Sequence, residues 1–89
     1  MADQITMADV KQALLEGSGV QDGVDLDRDL LGSSFRELGY DSLAVLETGL
    51  RLGRDNSIKI DDEVFTDLET PQQLLDAVNL ALAGRKVAS

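Results

Sequence analysis

Residues 37–47, ELGYDSLAVLE, predict the start of the helix around which the rest of the fold is organised. Asp41 is one of the residue types favoured at a helix N-cap, where a side-chain oxygen accepts a hydrogen bond from an exposed backbone N–H. Ser42 then falls in the first helical turn. The stretch therefore predicts a capped helix that carries a serine at its start, and two roles for Ser42 stay open: a helix-capping residue or a chemical centre.

The apolar residues of this helix form two edges. Leu43, Leu46 and Leu50 follow one another at spacings of three and four, and Val45 and Leu52 lie seven apart. The apolar arc is therefore wider than one core-facing stripe. We expect Leu50 to pack in the core, whereas Leu43 and Leu46 are consistent with either core packing or an exposed contact.

Two glycines interrupt the same helix. Each costs about 1 kcal/mol of helix stability relative to alanine. Gly53 is predicted to end the helix. Gly49 lies inside it, and close approach of another segment to the helix backbone is one explanation for a glycine there.

Capping signals predict a helix at each end of the chain. Thr6 caps a first helix from Met7 to about Leu15, which the following GSG segment ends. Thr70 caps the last helix, with Pro71 in its first position, and a glutamine at position 73 completes the capping box. We expect this last helix to stop at the glycine in position 84, before two basic residues.

The segment between the second and last helices has weaker signals. Residues 57–60, SIKI, alternate in polarity and are consistent with a short extended piece. Asp61 or Asp62 is predicted to cap a short helix that runs through Val64 and Phe65, and we expect Val64 to lie in the core.

A long connection joins the first two helices. Residues 18–33 are rich in Gly, Ser and Asp, and a loop of this length needs anchors in a small domain. Ser34 and Glu37 then form a capping box over a short turn that Gly39 ends. The predicted anchors are the four scattered apolar residues of the loop: Val24, Leu26, Leu30 and Leu31.

The whole pattern predicts an all-α protein: a small bundle of three main helices and one short helix, with a long loop between the first two helices. The 89 residues suit one domain, 1–89, with an ordered core of about 5–84. The net charge of −9 argues against nucleic acid and against an anionic membrane surface as partners. No secretory signal or membrane-length apolar run is present, so we expect a cytoplasmic protein, and a monomer.

The composition also argues against an enzyme. The chain has no histidine and no cysteine, which removes the usual general base, thiol nucleophiles and thiolate metal sites. Asp25, Asp27 and Asp29 alternate as at the start of an EF-hand loop, but Leu30 stands where the loop needs glycine and Arg36 where it needs glutamate. We therefore expect no metal site and no catalytic residue.

A serine in the first turn of a helix suits a phosphate ester. Its hydroxyl lies beside backbone N–H groups without helical partners and beside the positive end of the helix dipole. Ser42 is therefore either a residue modified by a phosphodiester or, in a protein of a different class, part of an acidic helical interaction module.

The stretch LGYDSLAVLE resembles the prosthetic-group motif of acyl carrier proteins, in which a serine between aspartate and leucine receives 4′-phosphopantetheine from coenzyme A. The size, the acidity and the helix order of the whole chain fit that family. The segments FRELGYDSLA, LET, TPQQLLD and NLAL are most similar to the carriers of type II aromatic polyketide synthases. Gly49 departs from the resemblance, since the family usually has a larger residue there, and Asp61 replaces a frequent proline.

The resemblance implies a non-catalytic carrier. A separate transferase with Mg²⁺ would attach 4′-phosphopantetheine to Ser42, and the terminal thiol of this arm would hold malonyl and growing polyketide chains as thioesters. A fatty-acid or other acyl carrier protein is the alternative within the class.

Partners implied by the resemblance are a phosphopantetheinyl transferase, ketosynthase/chain-length factor, malonyl acyltransferase, ketoreductase and cyclases. The acidic surface suits basic partner surfaces. The expected partner-binding residues flank or follow Ser42: Asp41, Leu43, Leu46, Glu47, Asp61, Asp62 and Glu63.

Overall fold

The protein is a helical bundle, and four elements follow one another in the part of the chain that the structure describes. A computed structural model describes residues 4–17, 19, 25–26, 30 and 32–88, with the backbone alone for 85–88. The elements are helix α1 (Met7–Gly17), helix α2 (Ser42–Asp55), the 3-10 helix η1 (Asp62–Phe65) and helix α3 (Pro71–Ala88). Across these ranges there is no strand, so the predicted all-α class is confirmed and SIKI is not a strand.

Helix α1 begins as its sequence predicts and ends later. The Thr6 N–H donates to Asp9 Oδ2 at 2.8 Å, which supports the predicted cap. Gly17 belongs to the helix, so the expected end near residue 15 is wrong. The chain turns at Gly19, the last residue of the predicted GSG stop, whose φ is +74° and whose N–H donates to the Leu14 carbonyl. Glycine ends a helix by adopting this left-handed conformation.

The connection between α1 and α2 is anchored as predicted where it is described. Leu26 and Leu30 are buried in the core. Val24 and Leu31, the other two predicted anchors, lie outside the described residues, as do two aspartates of the EF-hand-like run, 27 and 29. No group of three His, Cys, Asp or Glu side chains suited to a metal ion occurs in the described part of the chain.

The turn before α2 has its predicted capping box. The Ser34 N–H donates to Glu37 Oε1 at 2.9 Å, and the Glu37 N–H donates to Ser34 Oγ at 3.1 Å. Gly39 ends the turn with a φ of +91°. The Phe35 N–H donates to the Glu69 carbonyl at 2.8 Å, which ties this turn to the segment before α3. The approach to α2 is therefore held on both sides.

Helix α3 begins at its predicted cap and runs beyond its predicted end. The Gln73 N–H donates to Thr70 Oγ1 at 3.1 Å, and Gln73 Oε1 accepts from the Thr70 N–H. The helix continues through Gly84 to Ala88, so the expected stop at Gly84 is wrong. Gly84 is exposed and keeps a helical conformation, since a glycine permits a left-handed turn without imposing one.

One apolar core joins the elements. Helix α1 packs against α2 and α3, and η1 contacts both α2 and α3. Asn79 on α3 accepts from the Ile5 N–H at 2.7 Å and donates to the Ile5 carbonyl at 3.2 Å, which fixes the segment before α1. Among the described helices, none is long and apolar enough to cross a membrane. The buried core side chains of the three α-helices are Val10, Ala13, Leu14, Val45, Leu52, Leu74, Val78 and Leu82.

Helix α2 ends at Asp55, two residues beyond the predicted end at Gly53. Gly53 is buried, and a Cβ placed on it would lie 3.1 Å from the Ile58 carbonyl oxygen. The Ile58 N–H donates back to the Gly53 carbonyl at 2.9 Å. Gly53 therefore serves the close return of the chain against the helix rather than its termination.

Candidate functional site

The start of α2 is built by Asp41. Its backbone is extended, with φ −94° and ψ 179°, and its Oδ1 accepts from the Ala44 N–H at 2.8 Å. Its carbonyl accepts the first helical hydrogen bond, from the Val45 N–H. Asp41 is therefore the N-cap of α2, and Ser42 is the first residue of the helix proper.

Ser42 presents its hydroxyl to solvent. The residue is exposed, and within the described part of the chain neither its hydroxyl nor its N–H has a hydrogen-bond partner. Because Asp41 already caps the N-terminus of α2, the Ser42 side chain is not needed as a cap. An exposed oxygen at the positive end of a helix dipole fits covalent attachment of a phosphate-linked group.

A groove of about 900 Å³ opens beside Ser42. We call it the Ser42 groove. Its apolar part comes from the turn before α2, from α2 itself and from the segment before α3: Phe35, Tyr40, Val45 and Leu68. Its polar part comes from Ser34, Arg36, Asp41, Thr66, Asp67 and Glu69. The groove gives a group attached to Ser42 a surface of mixed polarity to lie against.

Tyr40 ties this site to the end of α1. Its hydroxyl donates to the Gly19 carbonyl at 2.6 Å, and its ring packs edge-on against Phe35, with the ring centres 6.4 Å apart. Burial raises the pKa of the Tyr40 phenol. Sequence reasoning missed this link, because the two partners are far apart in the chain and no local pattern marks them.

Removing the Tyr40 hydroxyl should weaken the fold in a pH-dependent way. We expect Tyr40→Phe to lower the free energy of unfolding by about 1 kcal/mol at pH 7, since the Gly19 carbonyl loses its donor while the ring stays in place. The raised pKa of Tyr40 in the folded protein means that its contribution is complete below its unfolded pKa, near 10, and is lost as pH rises through the folded pKa. The difference between wild type and variant should therefore shrink above about pH 10.

Urea unfolding of both proteins at pH 7 and at about pH 10.5 measures this difference in unfolding free energy. The contributions of the other titrating groups cancel in the difference, because both proteins carry these groups. An equal difference at the two pH values would contradict the assigned role of the hydroxyl.

The predicted partner-binding residues of α2 separate into two groups. Leu43 is 60% exposed and Glu47 is exposed, so both are available for contact. Leu46 and Leu50 are partly buried and pack against the core. The apolar edge is therefore split: its first residue faces solvent, while the two later residues belong largely to the protein interior.

The predicted acidic residues at the start of η1 lie on the surface, and η1 packs beside α2. Asp61, Asp62 and Glu63 are all exposed. A second groove, of about 590 Å³, is lined by Glu47 of α2 and by Asp62, together with Arg51; we call it the Arg51 groove. The structure therefore brings acidic residues of the two elements to one groove.

Val64 lies at the surface, contrary to the sequence prediction. The sequence places Val64 in a short helix within the core, but its side chain is 40% exposed. Phe65 is the residue of η1 that enters the core instead. A four-residue helix can bury only one side, and the larger aromatic side chain takes it.

Known proteins are similar to this chain over nearly its whole length. The family model described as "Phosphopantetheine attachment site" matches residues 8–78. The actinorhodin polyketide synthase acyl carrier protein of Streptomyces coelicolor is 45% identical over 83 residues, covering 93% of this chain and 96% of that protein. The monensin polyketide synthase acyl carrier protein of Streptomyces virginiae is 43% identical over 89 residues, covering 99% and 100%.

Solved structures match in the same way. The acetyl form of the actinorhodin acyl carrier protein from Streptomyces coelicolor has a TM-score of 0.81 at 44% identity, covering 96% of this chain and 99% of that chain. The holo form has a TM-score of 0.78 and the form carrying 3,5-dioxohexyl, a triketide mimic, 0.81; both have 44% identity and cover 94% of this chain and 98% of theirs. The bundle is therefore shared with a protein that has been solved in several states of its arm.

Proposed function

This chain belongs to the acyl carrier proteins of type II polyketide synthases, and we propose that Ser42 is the residue to which its prosthetic arm is attached. The protein carries 4′-phosphopantetheine and tethers malonyl and growing polyketide intermediates to it as thioesters. It is a carrier subunit and not a catalyst. The arm supplies the thiol that a chain without cysteine lacks.

The observation that carries the assignment is the exposed hydroxyl at a helix start that another residue already caps. Ser42 Oγ forms the new phosphoester bond, the pyrophosphate bond of coenzyme A breaks, and adenosine 3′,5′-bisphosphate leaves. The Ser42 hydroxyl proton passes to a base of the separate transferase. The exposure of Ser42 allows a transferase to reach this oxygen, and the nearby helix amides favour the negative charge of the phosphodiester.

Intact mass tests the proposed function directly. After incubation with coenzyme A and a broad-specificity phosphopantetheinyl transferase, we expect the protein to gain the mass of one phosphopantetheine group. An unmodified protein would instead favour the alternative class, an acidic helical interaction module in which residue 42 is structural.

The proposed partners are the enzymes that load and process a tethered polyketide: a phosphopantetheinyl transferase, a ketosynthase/chain-length factor, a malonyl acyltransferase, a ketoreductase and cyclases. The carrier interacts with polyketide synthase enzymes in general. The proposed docking face joins the start of α2 to η1. It consists of Asp41, Leu43, Glu47, Asp61, Asp62 and Glu63, with the uncovered part of Leu46.

Charge and exposure support this face. The protein carries a net charge of −9, and Asp62 of η1 lines one groove with Glu47 of α2. Leu43, which follows Ser42 in the chain, is 60% exposed. Electrostatic attraction of this kind speeds encounters with basic partners without making the complex long-lived. A carrier needs that combination because it must leave each enzyme in turn.

Truncating the exposed leucine should weaken partner use without weakening the fold. We expect Leu43→Ala to raise the KM of a ketosynthase partner for the loaded carrier about fivefold or more, as for removal of an interface anchor. The free energy of unfolding should change by less than about 0.5 kcal/mol, since the side chain is mostly exposed.

Leu80→Ala is the matched control, because Leu80 is a leucine on α3 that is 75% exposed. Steady-state kinetics with both variants make the comparison. An equal change in KM for the two variants, or no change for Leu43→Ala, would remove Leu43 from the docking face.

A further inference from the structure

The contact between α2 and η1 separates two grooves. The Ser42 groove reaches Val45 on α2 and Thr66 just after η1. The Arg51 groove reaches Thr48 on α2 and Asp62 at the start of η1. Both grooves therefore border α2, one beside the start of η1 and the other beside the residues that follow it. The packing of η1 against α2 decides whether either groove extends into the protein interior.

Phe65 fills the space at this contact. A Cβ placed on Gly49 would lie 2.5 Å from Cε1 of the Phe65 ring and 2.6 Å from its Cδ1 and Cζ. The ring therefore rests directly on the helix backbone at Gly49. Any other residue at this position would place its Cβ in contact too close for the ring to keep this packing. Phe65 is 3% exposed and Gly49 is buried, and neither residue lines either groove.

We propose that Phe65, seated on Gly49, is a specificity-determining residue that closes the interior between α2 and η1 to the tethered acyl chain. This inference rests on the proposed attachment at Ser42. A chain that leaves Ser42 along its groove meets a filled interior and stays in the open groove. The carrier therefore gives long saturated chains no apolar interior in which to lie, because protein cores are already close-packed.

The walls of the Ser42 groove suit the opposite kind of cargo. Arg36 and Ser34 provide donors along it, and the keto oxygens of a polyketide are acceptors. A buried apolar cavity would leave such oxygens without partners, which is unfavourable. An open groove of mixed polarity therefore accommodates keto-bearing chains, and Phe65 denies saturated chains the advantage that burial would give them.

Chain-length dependence of thermal stability tests this role. Wild type and Phe65→Ala are loaded with acetyl, butyryl or octanoyl groups by a broad-specificity transferase acting on the corresponding acyl-coenzyme A, and loading is checked by intact mass. For wild type we expect Tm to differ by less than about 2 °C among the three forms. For Phe65→Ala we expect Tm to rise by about 5–10 °C from acetyl to octanoyl, because the chain fills the new apolar cavity.

Two further variants keep the test decisive. Phe65→Leu retains most of the packing and should fold even if the alanine variant does not. We expect its Tm to rise with chain length by less than that of Phe65→Ala. Gly49→Ala should lower Tm when Phe65 is present, since the methyl group displaces the ring, and raise it in the Phe65→Ala background, where the methyl group has room and the helix loses a glycine.

The outcomes separate the two proposals. A rise of Tm with chain length in wild type equal to that in the Phe65 variants would show that the interior is already open, and no rise in either Phe65 variant would show that Phe65 is not what excludes the chain. Both results would overturn the role of Phe65. Failure of loading in the mass measurement would instead overturn the assignment of Ser42.

Discussion

Ser42→Ala should abolish phosphopantetheine attachment completely while leaving the fold intact. The substitution removes the oxygen to which we propose the arm is attached, and the exposed side chain has no hydrogen-bond partner in the described structure. Asp41 still caps α2 through the Ala44 N–H, and alanine is the best helix former. We therefore expect the free energy of unfolding to change by less than about 0.5 kcal/mol.

Ser34→Ala provides the matched control. Ser34 also lies at the start of a helical turn and lines the same groove, but its Oγ accepts from the Glu37 N–H. This variant should lose about 1 kcal/mol of stability through its cap and should still accept one phosphopantetheine. Intact mass and urea unfolding of both variants give opposite patterns. An adduct on Ser42→Ala, or loss of the adduct in a folded Ser34→Ala protein, would contradict the assignment.

Leu74→Ala should have the larger effect on stability. Leu74 is 0% exposed at the centre of the core on α3. Replacing a fully buried leucine by alanine costs about 2–5 kcal/mol, through lost burial and the cavity that remains. Domains of this size have a total stability of about 5–13 kcal/mol. We therefore expect Tm to fall by more than about 10 °C.

Leu80→Ala makes the same chemical change on the same helix. Leu80 is 75% exposed, so we expect a change of less than about 0.5 kcal/mol. Urea unfolding of the two variants compares burial at constant chemistry. Similar losses of stability at both positions would contradict the packing described for α3.

The helix starts could be predicted because capping is local. At Ser34, Asp41 and Thr70 the cap joins atoms no more than three residues apart, and each predicted side-chain cap forms its hydrogen bond. At Thr6 the bond runs from its N–H to Asp9 Oδ2, and at Asp61, the N-cap of η1, the side chain makes no capping hydrogen bond. Helix ends were less predictable. Glycine ends a helix only when the chain turns there, as at Gly19, and whether it turns depends on contacts beyond the helix.

The division of α2 between core and surface could not be predicted. Its sequence contains two apolar edges, and spacing alone does not distinguish them. The structure buries Val45 and Leu52 and leaves Leu43 largely exposed. The reason is that α1 and η1 pack against particular sides of α2, and these contacts join residues that are distant in the chain.

By itself, the sequence determined the helical class, the caps at Ser34, Asp41 and Thr70, and the position of Ser42 beside a residue that already caps the helix. It also excluded chemistry that needs histidine or cysteine. Only the tertiary structure decided what lies against Gly49, which residue of η1 enters the core, and how Tyr40 reaches Gly19. Capping depends on atoms a few residues apart, whereas burial depends on which distant segments meet, and that is set when the helices pack.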